Sequence, residues 1–180
     1  LALIHNYLGF QQIDYDIFLH FASILAVIIL FYEDIAKKLN LKDKDNFNYL
    51  LCLLIGIIPA GIIGFLFRDF IYNFFSNMIY LGIFFILSGI IIYSTKFSRE
   101  KKEKLNFPDS LFIGLMQVLA LFPGISRSGS TISAGLFRGL NKEEAIKFSF
   151  YMAIPLIIGA NVVSFNELVY SEIDYLILII

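Results

Sequence analysis

The sequence predicts an all-α fold, a polytopic integral membrane helical bundle containing a re-entrant helix pair, on three observations. Of its 180 residues, 58% are hydrophobic and only 16% charged, and the mean hydropathy is +0.78. A soluble domain of this size must present a largely polar surface, so that composition excludes an ordinary soluble globule. Several apolar stretches also reach the roughly 20 residues a helix needs to cross about 30 Å of hydrocarbon. Lastly, two shorter apolar pieces flank the polar string "LFPGISRSGST" at residues 121–131.

Taken in order, the chain opens on "LALIHNYLGF", which lacks a basic n-region and does not read as a signal peptide. Full-length spans are expected at about 16–32, 49–67 and 77–95. A fourth at about 145–165 is long enough but carries Ser149, Pro155 and Asn161. The chain stops inside an apolar run that starts near 173. Both ends read as cut, so residues 1–180 are expected to be a piece of one longer membrane domain.

Between the third and fourth spans lie "SLFIGLMQVLALF" (110–122) and "TISAGLFRGL" (131–140), each too short to cross alone. Pro123 lacks an N–H and should end the first piece, while Gly124 permits a sharp reversal. Short apolar pieces around a polar break predict a re-entrant hairpin over about 110–140, whose irregular backbone must be satisfied by protein or water. A single kinked span over 110–138 is the alternative.

The charges separate these two readings. The net charge of −1 gives no sign of a nucleic-acid partner, but its distribution is uneven. Lys37, Lys38, Lys42 and Lys44 crowd the 33–48 loop, and Lys96, Arg99, Lys101, Lys102 and Lys104 crowd the 96–109 loop. The 68–76 loop has only Arg68. Because Lys and Arg favour cytoplasmic loops, the first two face inward and the third outward. A hairpin that returns to its own side keeps Arg138, Lys142 and Lys147 inside and the acidic Glu167, Glu172 and Asp174 outside; a full crossing reverses both.

Other residues carry packing readings. Cys52 sits in an apolar run and reads as a small buried hydrophobe. His5 lacks acidic neighbours, and His20 sits among Phe18, Leu19 and Phe21 at the start of a span; both read as structural. Gly56, Pro59, Gly61 and Gly64 suggest close helix packing.

The polar break carries the chemistry. If "SRSGST" begins a second half-helix, its first turn exposes unpaired N–H groups and the positive end of the dipole. Serine and threonine there can cap the helix or donate to a ligand. Gly124 and Gly129 allow close backbone approach, and the planar fork of Arg127 fits phosphate oxygens in a bidentate manner. A phosphate or diphosphate held within the membrane suits the motif. In the structural alternative the hydroxyls bond the preceding turn and Arg127 pairs with a carboxylate on a neighbouring helix. No carboxylate lies inside any expected span beyond Asp16 at the edge of the first, which disfavours it.

The string "ALFPGISRSGSTISAGL" resembles the P-G-x-S-R-S-x-x-T signature of the undecaprenyl-diphosphate phosphatases, the bacitracin-resistance membrane enzymes of bacteria. "DIFLHFASILAVIILFYEDI", "GIIPAGIIGFLF" and "EEAIKFSFYMAIPLIIGAN" resemble that family's segments in the same order. The resemblance implies an enzyme that hydrolyses undecaprenyl diphosphate to undecaprenyl phosphate and inorganic phosphate, recycling the lipid carrier of cell-wall synthesis. It implies two inverted repeats in a multi-pass protein of the bacterial plasma membrane, with a site opening to the extracytoplasmic face. Carried over by position, Ser126, Arg127 and Thr131 are the expected catalytic residues, with Gly124, Ser128, Gly129 and Ser130 binding substrate.

A divalent cation, Mg or Ca, is also implied. Its expected ligands belong to a Glu-rich E-x-x-x-E segment, followed by a serine and a G-H motif, that should fall before Leu1; no metal ligand is assigned in 1–180. The chain as given is therefore expected to bind substrate without turning it over. The expected partners are a polyprenyl diphosphate and membrane lipids, with a homodimer left open. A transporter or flippase of phosphorylated polyprenyl lipids is the alternative function.

Overall fold

The computed structural model describes residues 13–74 and 77–170. Helices α1 (Ile13–Leu30), α2 (Tyr32–Lys38), α3 (Lys44–Leu66), α4 (Arg68–Tyr72), α5 (Met78–Ser94), α6 (Phe107–Leu119), α7 (Arg127–Phe137) and α8 (Lys142–Tyr170) succeed one another, with one 3-10 turn at Thr95–Phe97. Among the described residues the single extended pairing is an isolated bridge between Lys102 and Leu140. His5 and the apolar run from about 173 lie outside them.

Two helical stretches, Lys44–Leu66 and Met78–Phe97, are long and apolar enough to cross a membrane. Their surfaces are apolar on the outside as well, with Ile58, Ile62 and Phe65 on α3 and Ile79, Ile83, Ile86 and Ile90 on α5 all exposed. A continuous apolar surface of that kind is unstable in water and is what a helix presents to lipid. The chain is a membrane protein, and its fold is all-helical.

Helices α6 and α7 form a pair that turns back on itself. Asn106 caps α6 by accepting from Asp109 N at 3.0 Å, and the Asp109 side chain answers with Asn106 N in a capping box. Pro108, in the first turn, needs no helical acceptor for its missing N–H. Starting three residues before the expected Ser110, this cap also brings Asp109 into the interior. Its carboxylate is fully buried, and it holds Lys102 from the preceding loop on Oδ2. Its Oδ1 accepts from Arg138 Nε, just past the end of α7, at 2.8 Å. The backbone doubles the closure: Lys101 and Lys102 N–H donate to Gly139 O at 2.8 and 3.0 Å, and Asn141 N donates to Lys102 O at 3.0 Å. The two ends of the pair therefore meet at one base.

That base shares its end of the molecule with the other basic segments. Lys104 pairs with Asp45 at the start of α3 at 2.6 Å, and Lys147 of α8 pairs with Asp34 of α2 at 2.7 Å. The Lys147 ammonium, hydrogen-bonded to it, holds the Asp34 carboxyl below the usual carboxylate range. A depressed folded pKa gives stabilisation that is present above the unfolded value and is lost as pH falls through the folded one. The carboxylate side of the α2–α8 tie accordingly weakens as pH falls into the acid range.

The core lies where α3, α6, α7 and α8 cross, built from Tyr49, Cys52, Ile113, Ala134, Phe148 and Met152. Helix α6 approaches α3 so closely that Ser110 Oγ donates to Cys52 O. A Cβ placed on Gly114 would sit 2.4 Å from Gly56 O. Gly64 is in ordinary contact with Leu121, and Gly61 meets nothing within 4 Å. The glycines of α3 thus divide: Gly56 makes the crossing and Gly61 does not.

Gly114→Ala should open the α3–α6 crossing and lower stability by about 2–3 kcal/mol, the usual scale of overpacking. Gly61→Ala should be neutral or stabilising by up to about 1 kcal/mol from helix propensity. Thermal unfolding in detergent distinguishes them, and equal effects would contradict the packing described. Asp109→Ala should cost about 3 kcal/mol in the same assay, since it removes the side-chain half of the capping box and a carboxylate that two cations share.

Candidate functional site

The break between α6 and α7 begins earlier than proline alone requires. Helix α6 ends at Leu119, and the chain then tightens: Ala120, Leu121 and Phe122 N–H donate to the carbonyls of Gln117, Val118 and Leu119 at 3.1, 3.1 and 3.2 Å. These i to i+3 bonds absorb carbonyls that Pro123 would otherwise strand. Gly124 follows at φ +94, where an L side chain is strained and where a Cβ would lie 2.9 Å from Leu81 O of α5. The turn is gripped by rings as well, with Phe122 at 5.3 Å from Phe74 and 5.2 Å from Phe84, centroid to centroid.

Helix α7 then starts as the hydroxyl pattern predicts. Ser126 is its N-cap, and Ser126 Oγ accepts from Gly129 N at 3.1 Å. The first-turn amides of Arg127 and Ser128 have no acceptor within the helix. Ser126 N itself donates to Ser88 Oγ of α5 at 3.1 Å, which seats the cap against a buried hydroxyl. Ser88 lies ten residues past the start of α5, about 15 Å along its axis. The cap is thus held near the middle of a helix long enough to span.

Arg127 and Thr131 share a face of α7 at i and i+4 spacing. Arg127 Nη1 donates to Ser149 O of α8 at 3.2 Å, and among the described residues Arg127 forms no ion pair. Thr131 is buried at 1% exposure. Its Oγ1 lies 2.9 Å from Arg127 O, 3.3 Å from Ser128 O and 2.6 Å from Ser149 Oγ. Half of the structural alternative is therefore present, since a hydroxyl does bond the preceding turn. The other half, a carboxylate on Arg127, is not found among the described residues.

The remaining motif residues divide by environment. Ser128 and Gly129 are half-buried beside the cap, and a Cβ on Gly129 would meet Ile92 Cδ1 of α5 at 2.8 Å. The close approaches that Gly124 and Gly129 allow are thus made to α5. Ser130 is buried at 1% exposure with a hydroxyl that has no partner among the described residues. Gln117, in the last turn of α6, is as deeply buried, and both its amide atoms also lack partners. An unmade hydrogen bond of that kind costs about 1–3 kcal/mol, so these groups are set for a partner.

Sequence reasoning missed Ser88, Asp109 and Gln117, and it read Ser149 only as an interruption of a span. A signal for Asp109 was present in "NFPD", an Asn followed three residues later by an acid. Ser88 and Ser149 each stand alone in an apolar run, and only the crossing of helices gives them partners.

Metal ligands are not assembled here. Among the described residues no group of three or more His, Cys, Asp or Glu side chains could hold an ion, and the Asp109 carboxylate is taken up by Lys102 and Arg138. What the geometry does offer is a cation, two free amides, the Ser126 hydroxyl and a helix dipole converging at the start of α7. Those are the elements of an anion site.

The cap gives a separable prediction. Ser126→Ala should lower stability by about 1 kcal/mol, whereas Ser126→Asn should hold the cap and stay within a few tenths of the parent. Thermal unfolding checks the pair, and equal losses would mean that the stabilisation does not come from the cap hydrogen bond to Gly129 N.

A family model described as "Bacitracin resistance protein BacA" matches residues 1–179. A relative in Halothermothrix orenii named undecaprenyl-diphosphatase is 37% identical over 181 residues, covering 98% of this chain and 70% of the relative. Another of that name in Methanococcus vannielii is 37% identical over 167 residues, covering 89% of this chain and 67% of the relative. A third in Thermosipho africanus is 38% identical over 156 residues, with 84% and 63% covered.

Proposed function

The chain belongs to the bacitracin resistance protein BacA family, and we propose that it acts as an undecaprenyl-diphosphatase, releasing inorganic phosphate and leaving undecaprenyl phosphate. The observation that carries this reading is Arg127, placed at the start of α7 with only a backbone carbonyl as partner among the described residues. A cation in so apolar a setting is costly unless an anion joins it.

On this reading the diphosphate lies across the first turn of α7. Arg127 spans phosphate oxygens with its fork, and the Arg127 and Ser128 amides add donors along the dipole. Ser126 Oγ already accepts from Gly129 N, so its own proton is free to reach a phosphate oxygen. Thr131 can turn its proton to a second one. All four become more favourable as charge spreads over the transferring phosphoryl group, and such positioning and charge stabilisation dominate phosphoryl transfer. Among the described residues no base hydrogen-bonds Ser126, and water is the attacking group on this reading. The divalent cation that the resemblance implies has no ligand set among the described residues.

The α6–α7 pair is taken as re-entrant, entering and leaving on the basic side, with its break near the membrane midplane. Broken helices of inverted repeats place sites there. The meeting of both ends at the Asp109 base supports that sense, and the sparsely charged 68–74 end beside Phe122 supports an opening on the extracytoplasmic face. A role in recycling the lipid carrier of the cell wall at the plasma membrane follows from the same reading.

The test is phosphate release from a polyprenyl diphosphate by the intact protein in detergent, with and without divalent metal. Arg127→Ala should reduce kcat/KM at least about 100-fold with the melting transition retained, on the scale of lost oxyanion stabilisation. Arg127→Lys should recover only a part, because a point charge does not reproduce the fork. Full activity in Arg127→Ala would make the arginine structural and overturn the site.

A further inference from the structure

We infer that Ser149 of α8 is a positioning residue for this site: its hydroxyl donates to Thr131 Oγ1 and fixes where the threonine proton is presented. The inference rests on the phosphatase reading above and adds a residue from outside the signature.

Proton accounting leads to it. The Thr131 hydroxyl has a single hydrogen, and two of its three neighbours, Arg127 O at 2.9 Å and Ser128 O at 3.3 Å, can only accept. Thr131 gives its proton to a carbonyl of its own helix, so the 2.6 Å contact with Ser149 Oγ must be donated by the serine. Ser149 has forgone the usual alternative. Ser94 and Thr95 return their hydroxyl protons to their own chain, to Ile90 O at 2.7 Å and Ile92 O at 2.7 Å. Ser149 reaches across to α7 instead, from a side chain that is fully buried. The same residue offers its carbonyl to Arg127 Nη1 at 3.2 Å. One position on α8 therefore holds both Arg127 and Thr131.

The chemical consequence is directional. With its oxygen held by Ser149, Thr131 can swing its proton from Arg127 O to a phosphate oxygen without moving its oxygen, and an accepted hydrogen bond makes a hydroxyl a better donor. That gain grows with charge on the phosphoryl oxygens, so it belongs to the transition state more than to the bound substrate. Binding through Arg127 uses the serine carbonyl, which substitution of the side chain leaves in place.

The experiment measures kcat and KM for phosphate release by the intact protein carrying Ser149→Ala, Ser149→Thr, Thr131→Ala and Ser149→Ala with Thr131→Ala. Ser149→Ala should lower kcat roughly tenfold with KM within about twofold, and Ser149→Thr, which keeps the donor, should regain most of it. In the Thr131→Ala background Ser149→Ala should have no further effect on kcat, because the group it positions is gone. Should Ser149→Ala fail to fold, Ser149→Cys keeps the volume with a weak donor and should show the same loss. A parental kcat in Ser149→Ala or its Cys substitute, a loss in Ser149→Thr as large as in Ser149→Ala, or full additivity with Thr131→Ala would overturn the inference. If Arg127→Ala is inactive while Ser149→Ala is unaffected, only this inference falls; if Arg127→Ala is active, the phosphatase site itself falls.

Discussion

A single buried carboxylate sets the geometry on which the site depends. Asp109 completes the capping box of α6 with Asn106, binds Lys102 before it and binds Arg138 beyond α7, so three separate stretches of chain converge on one side chain. Because α6 and α7 close at this base, the polar turn between them projects away from it, alongside α5. A carboxylate with no water contact demands its partners, since leaving either out strands a buried charge. The Lys and Arg side chains are themselves 30% and 41% exposed, so they keep part of their hydration while neutralising it. The demand runs one way, from the acid to the bases, and that gives the pair its register.

At the other end the constraint changes from charge to close approach. The turn packs against α5 where neither contact tolerates a side chain well: Gly124 beside Leu81 O and Gly129 beside Ile92. One hydroxyl from α5, Ser88, takes the amide of the cap residue, and one from α8, Ser149, takes Thr131. Irregular backbone inside an apolar layer survives only when its polar groups are satisfied by protein. The neighbouring helices supply those partners. The first-turn amides and most of the Arg127 fork are left over, and those are the groups a ligand would use.

Much of this was legible in the residues. Proline followed by glycine marked the turn, and the hydroxyl residues of "SRSGST" marked the helix start; both reflect local chemistry that acts within one helical turn. The glycines of α3 show the limit. Gly56 and Gly61 stand in similar apolar surroundings in the sequence, yet Gly56 meets the α6 backbone and Gly61 meets nothing. Which face of a wholly apolar helix is turned inward leaves no periodic signal, because lipid tolerates the same side chains as the core does. The same blindness hid Ser88 and Ser149, whose partners lie 38 and 18 residues away in sequence. Asp109 was hidden for another reason: it stood at the edge of a charged loop, where an acid among lysines reads as solvated surface.

The placement of charge also argues against a purely architectural role for Arg127. Where this chain needs a structural cation it pairs one: Arg138 with Asp109, Lys147 with Asp34, Lys104 with Asp45. Arg127 is treated differently, with a carbonyl in place of a carboxylate. A carbonyl fixes the direction of the guanidinium while leaving its charge unneutralised. A carboxylate would have made the helix start stable and electrically silent. The surplus positive charge of Lys102 and Arg138 at the base is part-exposed and keeps its hydration, whereas Arg127 at the tip is unneutralised where the dipole of α7 and the first-turn amides reinforce it. An anion entering the break meets attraction that no acid on Arg127 competes for among the described residues, and the serine that orients the arginine also orients the next donor along the helix.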